Sequence, residues 1–296
     1  MTWRSLSLAL LLAPLTLTGC PPDNPDDSDV DTNEGTDDPG TDDPDSDDDT
    51  EEPSDINCHV LPTSLPPFAG AIEPASLASE TPYTTDGGLD DVIAATTPAT
   101  EDSVTVDIDV TSAIVTTLDF NAEYQDTGIA HRFFVEDAAG GVYVRLDFDT
   151  ADGWPIAPGD EVSFTATSVR NFNGVMQVGA LTDLVVVSSD NPVYVVEGNG
   201  QTLDTTGAIN TVHHLFGELV TSGSECGSGW ECFDLETRDG LDTNTSTFRI
   251  RNDRLTTPYI QGDCIDLYAP LSQFSGEPQF NINNFQWVRW IANVND

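Results

Sequence analysis

Four histidines, His59, His131, His213 and His214, are the side chains in this chain suited to proton transfer near neutral pH. His213 and His214 are neighbours, and on an extended strand neighbours point to opposite faces, so the pair cannot grip one metal ion together. No G-x-S-x-G elbow, P-loop, H-E-x-x-H or glycine-rich nucleotide fingerprint accompanies them. Carboxylates are plentiful, with 52 Asp and Glu, but number alone does not pick out the two facing groups a glycosidase needs. Arginine beside aromatic residues is the remaining chemistry: Arg132, Phe134, Tyr143, Arg145 and Phe172. Such side chains stack on rings and pair with anions. The expectation is a noncatalytic binding module with no cofactor and no metal. A hydrolase accessory, or a hydrolase built on a carboxylate pair, is the alternative.

These residues need strands to hold them. Past residue 86 the chain becomes short Val/Ile/Phe/Thr-rich runs parted by Gly, Asn and Asp, the texture of an antiparallel all-β domain. One short helical stretch lies near Gly88–Ala95. Strands are expected at Ser103–Thr117, Arg132–Asp137, Val142–Phe148, Glu161–Val169 and Val175–Val187. By alternation Phe133, Val135, Val142, Val144 and Leu146 face a core. Arg132, Phe134, Glu136, Tyr143 and Arg145 then face outward, with Phe172 on the Asn171–Gly174 hairpin. Five strands, with a longer connection between the third and fourth, is the order of an OB barrel.

The pattern recurs. Gly159-Asp160-Glu161-Val162-Ser163-Phe164 is matched by Gly262-Asp263-Cys264-Ile265-Asp266-Leu267. Phe172-Asn173-Gly174 and Gln177 are matched by Phe274-Ser275-Gly276 and Gln279. Upstream, Phe134-Val135-Glu136-Asp137-Ala138-Ala139-Gly140 is matched with Phe233-Asp234-Leu235-Glu236 and Gly240. Blocks in one order indicate tandem modules. The fold class expected is all-β: two five-stranded OB-like barrels, at 86–189 and 190–296. In the second, Arg249, Arg251 and Arg254 form a basic cluster read as ion-pair partners, and Trp287 and Trp290 close a barrel or an interface.

On Phe133-Phe134-Val135-Glu136-Asp137, Gly141-Val142-Tyr143-Val144, Gly159-Asp160-Glu161-Val162, Phe172-Asn173-Gly174 and Gln177, the chain resembles the OB-fold modules of extracellular bacterial nucleases and related secreted proteins. The resemblance covers one module strongly and the second more loosely. It implies the fold; the metal-binding Glu/Asp/His cluster of the nuclease partner domain is not recognisable here.

The N-terminus reads as an export signal over residues 1–19, with Arg4 ahead of an apolar run too short to span a membrane. Leu17-Thr18-Gly19-Cys20 resembles the bacterial lipobox, which implies lipidation of Cys20 and a lipid-anchored place in the cell envelope, at the outer membrane or cell surface. Residues 20–57 form an acidic tether expected to be disordered, since 17 carboxylates and almost no apolar residue leave it nothing to bury. Its Asp29-x-Asp31-x-Asn33 begins like a calcium loop but lacks the glycine and glutamate that complete one. Residues 58–85 read as an irregular arm. With Cys20 lipidated, four of the five cysteines remain, an even set in an oxidising compartment. The pairings expected are Cys226–Cys232, across a Gly-Ser-Gly turn, and Cys58–Cys264; zinc is the rival.

With nine Arg, no Lys and a formal charge of −43, the composition argues against nucleic acid as a partner, because phosphate contacts need clustered cations. The partners expected are the membrane, through the anchor, and a protein or polysaccharide ligand.

Overall fold

In the computed structural model, described residues run from 57 to 295, apart from 59, 69–73, 98–101, 120–128, 146–152, 199–208, 223, 228–229, 238–245, 254–258, 275 and 283–286. Side chains at 75, 224–227, 230–231, 246–253, 274, 277 and 281 are also outside the described set. The expected signal, Cys20 and the tether up to residue 56 lie outside it, as do His59 and Arg254.

The elements, in chain order, begin with α1 (Pro74–Leu77), β1 (Ala78–Ser79) and α2 (Leu89–Ala95). Then come β2 (Val104–Leu118), β3 (Arg132–Asp137), β4 (Gly140–Arg145), β5 (Glu161–Phe172) and β6 (Val175–Ser188). The rest are β7 (Val193–Glu197), β8 (Val212–Leu219), β9 (Ser224–Gly227), β10 (Trp230–Thr237), β11 (Ser246–Asp253), β12 (Asp263–Phe274), β13 (Glu277–Ile282) and β14 (Val288–Asn293).

Strands β2-β3-β4-β6-β5 close into a barrel, with β4 and β6 parallel and the other pairs antiparallel. First-second-third-fifth-fourth, and back to the first, is the OB arrangement. Alternation builds its interior: Val162, Phe164 and Ala166 of β5 meet Phe133, Val135, Val142 and Val144 in one buried cluster. Leu89 and Val92 of α2 join that cluster. The helix starts where Gly88 takes a positive φ of 102°, and the Asp137 carboxylate accepts the N–H groups of Gly87 and Leu89 at 2.7 and 3.1 Å. The bond from Leu89 satisfies a donor that the first helical turn leaves open. At the hairpin Asn173 and Gly174 both have positive φ, 53° and 88°, as a two-residue turn requires.

The second half is a nine-stranded sheet in which five strands pair in the same sequence. β8 pairs β10 and β12, β10 pairs β11, β11 runs parallel to β13, and β13 pairs β12. Among the described residues the closed five-stranded barrel itself is found once. Its counterpart carries β1, β7, β9 and β14 as additional strands. Leu215, Leu235, Ile265, Leu267, Leu271 and Phe280 fill the core of that half.

Register corrects the upstream match of the repeat by one residue. Phe134 opposes Tyr143, which lies beside Gln177, whereas Asp234 opposes Arg249, which lies beside Gln279. Phe133 is therefore the counterpart of Phe233, and both are core residues. The misalignment arises because two phenylalanines stand together at 133 and 134 and only one at 233.

Cys58 and Cys264 form a disulfide that ties the arm to β12. Cys232 is also disulfide-bonded, and the side chain of its expected partner Cys226 is outside the described set.

Candidate functional site

The outer face of the barrel carries one cross-strand row: Thr117, Phe134, Tyr143, Gln177 and Arg170, contributed in turn by β2, β3, β4, β6 and β5. One step along the ladder, Arg132 and Arg145 stand directly opposite each other. Arg132, Phe134, Tyr143 and Arg145 thus share the face that alternation assigns them, pointing away from Phe133 and Val135.

The aromatic pair on that face is not open to solvent. Phe134 is 1% exposed and Tyr143 8%. Their rings are stacked at 4.4 Å and pack with Val175 as a cluster separate from the barrel core. This corrects the expectation of exposed aromatics. Alternation distinguishes the two faces of a strand, but it does not report what lies over the outer one. Here the second half of the chain covers part of it. Glu136 Oε1 accepts the Val212 N–H at 3.0 Å, and the Asn210 amide donates to the carbonyls of Gly141 and Met176 at 3.2 Å each. Close approach explains Gly141, where a Cβ would lie 2.6 Å from the Asn210 backbone. Gly174, at the hairpin tip, meets the Gln273 side chain of β12.

The cationic end of the face is less enclosed. Arg132 and Arg145 are half-buried, and Arg132 lies 3.7 Å from the buried Asp119 carboxylate. The Tyr143 hydroxyl donates to the same carboxylate at 2.5 Å. Burial pushes the Tyr143 hydroxyl well up, Asp119 adds to the rise, and Arg132 and Arg145 oppose it. Arg170 donates to Gln177 Oε1 at 2.8 Å and sits 5.6 Å from the centre of the half-buried Phe172 ring. Asp119, Arg170 and Gln177 were not among the expected site residues. Gln177 had a signal, its match with Gln279; Arg170 had the adjoining Phe172 hairpin.

The histidine pair divides as alternation requires. His213 is 2% exposed, and burial lowers its imidazole to about 4. His214 points the other way, with Nδ1 3.0 Å from Glu197 and Nε2 2.7 Å from Asp266, and its ring stacks on Tyr268. Arg289 holds the second oxygen of Asp266 and donates to the Pro66 carbonyl, its guanidinium 4.2 Å over the Phe68 ring. This network fastens the arm. Trp287 is buried beside Tyr268, while Trp290 is 46% exposed and donates to Asp263. The backbone places Arg249 and Arg251 on β11 opposite Asp234 and Cys232.

No family model and no curated protein matches this sequence. Among solved structures the chain is similar to the Ifi202 HINa domain in complex with 20 bp dsDNA, at 12% identity over 64% of this chain and 99% of that one, TM-score 0.32. It is similar to the single-stranded DNA binding protein of Thermus aquaticus, at 13% identity over 62% and 81%, TM-score 0.23. Fission yeast Pot1, solved with ssDNA, is similar at 8% identity over 69% and 90%, TM-score 0.24. The likeness adds nothing to the fold already read from strand pairing. It does overturn one expectation, the setting aside of nucleic acid on net charge, since these neighbours are solved with DNA or named for binding it. The physical reason is that total charge averages over the chain and does not describe one barrel face.

Proposed function

We propose that this protein is a noncatalytic binding module, held in the cell envelope by lipid on Cys20, which seats an anionic polymer on the outer face of β3 and β4. The observation that carries the reading is the direct opposition of Arg132 and Arg145. Like charges facing each other across a ladder are destabilising unless an anion lies between or beside them. Three of the nine arginines stand on this face in a chain otherwise dominated by carboxylates, at 132 and 145 on the paired strands β3 and β4 and at 170 on β5, beyond β6. Planar guanidinium groups suit phosphate and carboxylate alike. The buried Phe134–Tyr143 stack is the next row of the same face and holds β3 and β4 rigid beside the arginines.

Two labelled probes separate the sources of anion: a single-stranded oligonucleotide and polygalacturonate, each titrated into the full-length mature protein. Binding of one probe is expected, with the Arg145→Ala variant about tenfold weaker. Neither probe binding, or an R145A isotherm identical to wild type, would overturn the reading. Anchoring is tested separately: labelled palmitate should enter the wild-type chain in bacterial cells and not Cys20→Ser.

A further inference from the structure

β6, the last strand of the closed barrel, pairs with β4 only at Gln177 and Val178. Past them β5 holds one edge of β6 as far as Ser188, while the other edge meets no strand among the described residues. Val185, Val186 and Val187 lie on this stretch and are 56%, 39% and 56% exposed. We propose that this edge pairs with the same edge of a second copy of the chain, antiparallel, about a twofold axis at Val186.

Alternation sends Val185 and Val187 to one side of the sheet and Val186 to the other, so three consecutive exposed valines mean that water reaches both sides of the strand. An unpaired edge also presents a row of N–H and C=O groups, a template for another strand, and proteins blunt such edges with charge or proline. β2 is blunted in this way. Over Val104–Asp109 it is paired with β5 alone among the described residues, and it carries Asp107 and Asp109. β6 is not. Leu184–Ser188 holds no charge and no proline, in a chain with 52 Asp and Glu.

Register and charge select a copy of this chain as the occupant. Asp183 and Asp190 bound the run, both at positive φ, 57° and 61°. A twofold axis at Val186 sets Val185 of each copy against Val187 of the other on one side, and Val186 against itself on the other side. The run is thus its own complement, as a twofold interface requires. The same register sets Asp183 opposite Ser189, so no two carboxylates face each other. Sliding one copy by a single residue would instead oppose Asp183 to Asp190, which is destabilising. The joint is short beside the roughly 1,200–2,000 Å² that stable interfaces bury, so the dimer is weak and reversible. Two chains of formal charge −43 also repel, so salt strengthens this association, whereas it weakens a joint made of ion pairs.

Sedimentation equilibrium of the mature Cys20→Ser chain, which can carry no acyl group or thiol at that position, tests this in about 1 M NaCl, where the Debye length is about 3 Å. A monomer–dimer equilibrium is expected as concentration rises into the sub-millimolar range, with less dimer in about 0.1 M NaCl. Val187→Asp, at a position more than half exposed, should leave the melting temperature unchanged and weaken the dimer at least about tenfold. In the same background Val186→Cys should oxidise to a covalent dimer, because the axis sets that position against itself. Val187→Cys, more exposed but diagonal to its own copy, should not. The proposal is overturned if the wild-type edge stays monomeric throughout, if V187D associates equally well, or if V187C cross-links as readily as V186C.

Discussion

Asp160 and Asp263 make the same hydrogen bond in the two halves of the chain. Each carboxylate accepts, at 2.8 Å, the backbone N–H three residues before it, from Ala157 and Ile260 respectively. The glycine before each, Gly159 or Gly262, has a positive φ, 87° or 92°, and donates at 2.8 Å to the carbonyl of Val115 or Leu219. Each glycine carbonyl also accepts, at 2.9 Å, from Asn191 or Val294. The Gly-Asp turn thus ties the start of the fourth strand of each half to the first strand and to the segment that follows the last.

The two turns differ in how much hangs on the second carboxylate oxygen. Asp160 Oδ1 accepts one hydroxyl, from Ser189, whereas Asp263 Oδ1 accepts both Asn293 Nδ2 and Trp290 Nε1. Removing a buried charged acceptor costs about 1.5–3 kcal/mol per bond lost. Asp160→Ala is expected to lower stability by about 2–3 kcal/mol and Asp263→Ala by more, about 3–5 kcal/mol. Urea unfolding of the two variants gives the order; an equal or reversed loss would show that the additional bond on Asp263 Oδ1 adds no stability.

The repeat was legible because a turn of fixed φ demands Gly and its capping Asp at fixed places, and sequence records such demands directly. Barrel strands were legible because Val162, Phe164 and Ala166 must alternate with polar neighbours to fill one interior. The burial of Phe134 and Tyr143 was not, since a residue on the outer face of a strand looks the same whether water or another part of the chain covers it. What covers part of this face includes Asn210 and Val212, distant in sequence and carrying no periodic mark. A cavity beside Glu136 escaped for a related reason. Its walls come from the arm, three barrel strands and the loop at Asn191–Pro192, and no spacing within any one segment announces them.

The Cys58–Cys264 bridge closes a separation of 206 residues. In the chain-entropy account a loop of that size restrains the unfolded ensemble by about 5 kcal/mol, growing only logarithmically with length. Both sulfurs are buried. The Cys58→Ala/Cys264→Ala double variant should unfold at lower denaturant, with a loss of about 4–5 kcal/mol. It should also admit protease to the arm at Asn57–Phe68. A loss below about 1 kcal/mol would place the arm's attachment in the Arg289 contacts with Pro66 and Phe68.

His214 sets a pH dependence that runs opposite to that of its neighbour. Burial alone would lower the imidazole, but hydrogen bonds to Asp266 and Glu197, and their charges, outweigh it and raise it to about 9. A histidine raised in the folded state adds stability that is complete below its usual value near 6.5 and is lost as pH rises through about 9. That contribution is about 2–4 kcal/mol, the side chain being largely buried. His213, lowered to about 4, acts in the other sense: its contribution is present above 6.5 and lost as pH falls through 4. Melting temperature should therefore decline between about pH 7 and 10, and His214→Gln should flatten that limb while leaving the acid limb in place. An unchanged alkaline limb would remove His214 from the account.

Glu136 offers the cleanest separation of burial from pairing. Its carboxyl is raised by burial first and by Asp137 next, so the fold favours the neutral form. Stability tied to this group is complete below its usual value of 4.5 and is lost as pH rises toward the higher folded value. Glutamine keeps the oxygen that accepts the Val212 N–H and cannot ionise. Glu136→Gln should thus match wild type near pH 4 and exceed it at pH 8 by about 1–3 kcal/mol, read from urea unfolding at both values. If the variant is instead less stable at pH 8, the Glu136 carboxylate is ionised and paired within the fold, and burial does not dominate at this site.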